Sequence, residues 1–181
     1  MGHITTFTKL HIDPLNPSID DICLYDIAHS LSLLTRATGH FPQFYSVAQH
    51  CLNCAKEAEA RGYDKRVILA CLLHDGAESY LNDVTRSVKS LIPLYEEIEN
   101  KFLKLIYTKF LGSHITEEEE QLIKEIDDTI LFYEFRHYMD EDIKEEAPLL
   151  LSKPVFRYQI FEDVEDEYKE KAKELIFSIM K

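Results

Sequence analysis

Seven consecutive apolar residues, Val67-Ile-Leu-Ala-Cys-Leu-Leu73, lie between Arg66 and the pair His74-Asp75. A helix built on such a run has no polar face, so other elements must enclose it on every side. It is therefore predicted to be the central helix of the fold, over about residues 64–74. It ends in two side chains that are costly to bury alone. An imidazole and a carboxylate left unpaired in an apolar interior cost on the order of several kcal/mol, whereas together they can hold a divalent cation. The run thus predicts both a core and a metal site at its edge.

The remaining composition allows one such core. A chain of 181 residues, 45% hydrophobic, can close as a single domain over residues 1–181, burying about 70% of its unfolded surface without disulfides. Cys23, Cys51, Cys54 and Cys71 are read as reduced thiols, and Cys51-x-x-Cys54 on one helix as packing rather than half of a zinc site. No stretch approaches the roughly 20 apolar residues of a membrane span, and the first residues lack the basic and apolar regions of a signal peptide. A cytoplasmic protein with no membrane partner is expected. Net charge is −13, and residues 116–181 carry 20 acidic against 9 basic side chains. That surface repels polyanions, so no nucleic-acid polymer is expected as a partner. A small anion remains compatible with the nearly balanced first part.

Only five glycines and six prolines interrupt the chain, and apolar residues recur at three and four, predicting an all-α helical bundle. Ile4, Phe7, Leu10 and Ile12, before Pro14 and Pro17, suggest a short extended N-terminal arm or hairpin. Helices are predicted over about 26–36, 45–60 and 64–74. Pro93 opens a fourth that ends near Gly112, and a Thr116-Glu119 capping box opens a fifth reaching about Asp140. Residues 141–181 form a connection of undefined shape and a last amphipathic helix from about Asp163.

A cation at His74 and Asp75 needs donors from neighbouring helices. His50 lies beside the stripe Val47, Cys51, Cys54, Ala55 and Ala58 of the second helix; taken alone it is also consistent with a satisfied or half-exposed histidine. Asp127 has Ile123, Ile130 and Leu131 as its one-turn neighbours, so its carboxylate sits at the margin of a core-facing stripe. Three distant parts of the chain thus direct His50, His74 with Asp75, and Asp127 inward.

This order resembles the H…HD…D signature of the HD-domain metal-dependent phosphohydrolases, an all-helical superfamily that holds a divalent metal with those four side chains. The segments Tyr45-Ser-Val-Ala-Gln-His50, His74-Asp-Gly-Ala-Glu78 and Lys124-Glu-Ile-Asp127 resemble those of bacterial 5'-deoxynucleotidases and of related small phage and bacterial HD proteins, over about residues 25–136. The resemblance implies an HD-type bundle with His50, His74, Asp75 and Asp127 as metal ligands. It makes Glu78 the acid/base that orders the attacking water, Asp83 an active-site aspartate, and Arg36 a phosphate-binding residue. Ala37 stands where the nucleotidases have a tryptophan on the nucleotide, which leaves deoxynucleotide specificity open.

His29 and His40 are candidates to line the same cleft on the substrate side, as are Lys89 and, more weakly, Arg86. Glu134, on nearly the same face as Asp127, is placed to accept the second ring N–H of a ligand histidine. Two imidazoles with two carboxylates suit Mn, Fe, Co, Ni or Zn better than calcium or magnesium. Only His114 lies between His74 and Asp127, so one ion rather than two is expected. The expected function is hydrolysis of a phosphate monoester, a nucleoside 5'-monophosphate first among them, with a homodimer implied only by the resemblance. Two alternatives stand beside it. One is a guanosine tetra- or pentaphosphate hydrolase, disfavoured because Ser79 follows Glu78; the other is a non-catalytic nucleotide-sensing module.

Overall fold

The computed structural model describes residues 2–180. Among the described residues the regular structure is helical, apart from one N-terminal hairpin. Its strands β1 (Ile4–Thr5) and β2 (His11–Ile12) pair antiparallel, with Ile4 opposite Ile12. The hairpin is held down at its tip, where the Thr8 backbone N–H and hydroxyl both donate to Asp26, at 2.7 and 2.8 Å. The helices are α1 (Leu24–Leu33), α2 (Val47–Ala60), α3 (Lys65–Leu73), α4 (Glu78–Leu81), α5 (Arg86–Lys89), α6 (Pro93–Leu111), α7 (Glu117–Met139) and α8 (Phe161–Ile179). The two short helices α4 and α5 carry no apolar period of their own and fall in a stretch that sequence periodicity leaves blank. No helix among the described residues is long and apolar enough to cross a membrane.

Local chemistry sets the boundaries. Asp64 caps α3 by accepting the Val67 N–H. Capping boxes open α2 at Ser46 with Gln49 and α7 at Thr116 with Glu119. Pro93 occupies the first turn of α6, and Gly112, at φ 81°, terminates that helix in the left-handed conformation.

Every residue of α3 from Val67 to Leu73 is buried, enclosed by α2, α6, α7 and α8. At about 1.5–3 kcal/mol for each large aliphatic side chain removed from water, this enclosure outweighs any local preference of so short a helix. The amphipathic C-terminal helix α8 covers this same core with Val164, Tyr168, Ala172 and Leu175. Tyr168 donates its hydroxyl to the Leu72 carbonyl at 2.7 Å.

Residues 141–160 form an extended strap, secured by the polar face of α2. Gln49, Asn53 and Glu57 recur every fourth residue and are all buried. Asn53 accepts from the Val155 N–H at 2.9 Å and donates to its carbonyl at 3.1 Å, as a paired strand would. Glu57 accepts from the N–H groups of Leu151 and Ser152, and Gln49 donates to the Arg157 carbonyl. Helix α2 thus offers apolar side chains to α3 and hydrogen bonds to the strap. Asn53→Ala leaves the Val155 amide and carbonyl without this partner and should cost about 2–3 kcal/mol. Urea denaturation checks this, and a loss below about 0.5 kcal/mol would mean that the strap is held by other contacts.

Candidate metal centre

The four side chains expected to meet do so where α2, the C-terminal end of α3 and α7 converge. His50 lies one turn inside α2, and His74 is the residue that ends α3. Beyond it the chain turns sharply through Gly76, where a Cβ would come within 2.9 Å of the Leu73 carbonyl oxygen and 3.1 Å of Ile106 Cδ1. Only a glycine lets Asp75 leave α3 this close to α6. Asp127 projects from the middle of α7.

The Nε2 atoms of His50 and His74 are 3.3 Å apart. Asp127 Oδ1 lies 3.1 Å from the first and 3.8 Å from the second. A triangle with sides of 3.1, 3.3 and 3.8 Å has a circumradius of about 2.0 Å, so one point can lie within coordination distance of all three, given metal–nitrogen and metal–oxygen bonds of about 2.0–2.2 Å. Asp75 adds Oδ1 at 3.3 Å from His74 Nε2 and Oδ2 at 3.7 Å from His50 Nε2.

The outer ring nitrogens fix which tautomer faces inward. His50 Nδ1 is 2.6 Å from Glu134 Oε1, and His74 Nδ1 is 2.8 Å from the Cys71 carbonyl oxygen. Both partners are acceptors, so both Nδ1 atoms carry the proton and both Nε2 lone pairs point into the cluster. Around His74 Nε2 the atoms of His50, Asp75 and Asp127 are then all acceptors, an arrangement that calls for a cation. Without an ion, a proton substitutes. Burial, and for His50 the nearby Arg36, work against charging the rings, yet Cys54, Glu134 and Asp127 around His50, and Asp75, Cys51 and Asp127 around His74, prevail and raise both histidines well above their ordinary range. Asp127, despite burial, is held well below the usual carboxylate range by hydrogen bonds to the two histidines.

A cleft of about 350 Å³ opens beside the cluster, lined by Arg36, Asp75, Glu78, Asp83, Lys89 and Asp127 among others. Arg36 reaches Asp75 with one guanidinium nitrogen and Glu134 with the other, each at 3.5 Å. Glu78 is only 5% exposed, and its Oε2 has no hydrogen-bond partner among the described residues. Burial first, then Asp75 and Asp83, push this carboxyl well above the ordinary range. Asp83 is raised in the same direction, mainly by burial. It follows Asn82, whose φ of 78° and ψ of 157° are rare for a residue with a side chain and are held by the Tyr95 hydroxyl on the Asn82 carbonyl at 2.6 Å.

Two of the expected cleft residues lie elsewhere. His29 is bonded to Glu165 of α8 at 2.9 Å and stacked on Phe7 of the hairpin, in a separate cavity. The arm and α8, far away in sequence, claim its ring. His40 is exposed and does not line the cleft, because the turn at 36–39 faces Arg36 inward and leaves the end of that turn in solvent. Lys89 lines the cleft but is engaged by Glu99 at 2.6 Å. Arg86, ranked low from sequence, contacts Asp127 at 2.6 Å and Asp128 at 3.0 Å. It lines both this cleft and a cavity of about 450 Å³ on the α6–α7 side that reaches His74. The cysteines of α2, read as packing, also stand at the centre, with Cys54 Sγ 3.5 Å from His50 Nε2. The four-residue spacing of His50 and Cys54 on one helix was the available signal.

No protein-family model matches the chain. It is similar to the uncharacterised protein YfdR of Escherichia coli, 37% identical over 112 residues that make up 61% of this chain and 59% of that protein. It is also similar to an uncharacterised protein of Rhodobacter capsulatus, 36% identical over 107 residues covering 55% of this chain and 53% of the relative. The chain therefore spans somewhat more than half the length of these curated relatives.

Glu134→Gln keeps the shape of the side chain but removes the charge behind His50, and should lower affinity for a divalent ion about 10- to 100-fold. Titration calorimetry with Zn²⁺ or Co²⁺ checks this. Because the raised histidines hold a proton that an ion must displace, affinity should fall as pH falls through the neutral range, by about tenfold per unit for each proton released.

Proposed function

We propose that this protein is an HD-type metal-dependent phosphohydrolase that cleaves a phosphate monoester, with nucleoside 5'-monophosphates as the substrate class. The observation that carries the reading is the convergence of His50, His74, Asp75 and Asp127, acceptors facing acceptors, on a point about 2 Å from three of them. The donor set fits one Mn, Fe, Co, Ni or Zn ion, and the orphaned Glu78 oxygen at the cleft wall fits a role toward bound solvent. When bound, the ion would lower the pKa of a coordinated water toward about 7 and offset charge on the phosphoryl group.

The side chains of the cleft have distinct tasks. Glu78, with its carboxyl raised by burial and by Asp75 and Asp83, is suited to hold and pass a proton. Arg36 offers a planar fork at the cleft wall, tethered by Asp75 and Glu134, and can turn its remaining N–H groups to phosphate oxygens. Lys89 adds positive charge to the cleft lining. A volume of about 350 Å³ lies at the lower end of ordinary small-molecule sites, which suits a nucleotide-sized ester better than a polymer.

Release of inorganic phosphate from a panel of ribo- and deoxynucleoside monophosphates, with Mn²⁺ or Co²⁺ supplied, tests the proposal. Pyrophosphate from guanosine tetraphosphate, with no phosphate from any monophosphate, would move the assignment to the alarmone hydrolases. Nucleotide binding without turnover would make the domain a sensor. Glu78→Gln should keep its metal and lose about 10²- to 10⁴-fold in kcat; unchanged turnover removes Glu78 from the reaction. Arg36→Ala should act mainly on KM.

A further inference from the structure

The His50-x-x-x-Cys54 spacing sets a thiol one turn along α2 on the same face as the imidazole. In the folded chain Cys54 is 1% exposed, and its Sγ lies 3.5 Å from His50 Nε2. His50, Cys54 and His74 each offer a donor atom within 4.8 Å of the other two. Metal–sulfur and metal–nitrogen bonds of about 2.3 and 2.0–2.1 Å, at a tetrahedral angle, separate nitrogen from sulfur by about 3.6 Å. The observed 3.5 Å edge fits a shared ion.

We propose that Cys54 is a further ligand of the metal centre, donating a thiolate to the same ion as His50 and His74 and biasing the site toward Zn²⁺, Co²⁺ or Fe²⁺ over Mn²⁺ and Mg²⁺. The inference rests on reading His50, His74, Asp75 and Asp127 as a metal site and adds a donor that the resemblance to HD proteins does not supply. On coordination the S–H bond breaks, a sulfur–metal bond forms, and the proton leaves through the cleft to solvent. Thiolate is a soft donor, so each ion gains according to its affinity for sulfur, and the oxygen-preferring ions gain least. The competing arrangement is a thiol that donates its S–H to His50 Nε2 and never meets the ion.

Cobalt substitution separates the two. Metal-stripped protein titrated with Co²⁺ should develop visible d–d bands together with a near-ultraviolet sulfur-to-cobalt charge-transfer band. Cys54→Ser should lose the charge-transfer band, keep the d–d bands, and lower the preference for Zn²⁺ over Mn²⁺ by about tenfold or more. Cys51 also offers its thiol within 4.8 Å of His74 and Asp75, so Cys51→Ser should keep the charge-transfer band, and loss of the band in that variant but not in Cys54→Ser would overturn the assignment in favour of Cys51. Cys54→Ala, with a thermal melt, guards against a variant that has merely unfolded. Visible bands without charge transfer in the unaltered protein would overturn the thiolate while leaving the metal centre in place. No cobalt absorption of either kind would overturn both.

Discussion

Two unprotonated imidazole nitrogens held 3.3 Å apart in a helical interior, with a carboxylate oxygen against both, repel one another unless positive charge lies between them. Most of the structure around α2, α3 and α7 serves to keep them there. Glu134 and the Cys71 carbonyl fix the outer ring nitrogens, and Gly76 lets the chain turn away under Ile106. The buried run Val67–Leu73 of α3 gives the cluster a rigid floor. A proton can fill the gap in the metal-free protein, but it satisfies one pair of atoms at a time. A divalent ion satisfies all of them at once.

The same helix that supplies His50 anchors the strap over residues 141–160. Because Gln49, Asn53 and Glu57 hydrogen-bond the strap, α2 can be buried nearly all round although much of its sequence is polar. The strap ends beside an aromatic cluster of Phe41, Tyr45, Tyr138 and Phe156, which packs behind the turn that carries Arg36. In that turn Ala37 and Thr38 adopt left-handed conformations at φ 52° and 54°, at a cost of roughly 1–2 kcal/mol each. The Arg36 N–H on the Tyr45 carbonyl and the Thr35–Ser46 bridge hold it. The strain thus sits where a cleft-lining guanidinium is fixed.

What could be read from sequence follows from which forces are local. The central helix, the capping box at Thr116, Pro93 and Gly112 were legible because apolar period and cap chemistry act within one element. His50 and Asp127 were legible only as margin positions, and their meeting depends on how three helices cross. Glu134 could be matched to a histidine because it shares a helix face with Asp127. The strap was not legible, since its hydrogen bonds come from side chains about a hundred residues away in sequence. His29 misled because its partners, Phe7 and Glu165, belong to the two ends of the chain. Cys54 was passed over because a thiol in an apolar stripe is usually packing. What set it apart, an imidazole 3.5 Å away, is a tertiary fact.

The charge lining the cleft constrains the order in which its occupants can enter. Asp75, Glu78, Asp83, Asp127 and Glu134 face Arg36, Arg86 and Lys89 there, and the three basic side chains are already engaged, with Asp75 and Glu134, with Asp127 and Asp128, and with Glu99. Without an ion, and with Glu78 ionised, this wall is net negative even when one proton sits on the histidine pair, and it would repel a phosphate dianion, whichever way Arg36 turns. A divalent ion brings the lining to balance, and a protonated Glu78, favoured by its burial, leaves it slightly positive. Coordination of Asp75 and Asp127 would also weaken their hold on Arg36 and Arg86, because a carboxylate shared with a cation is a poorer partner for a second one. Under the proposed function the centre and the phosphate subsite would be one electrostatic unit, in which filling the first prepares the second.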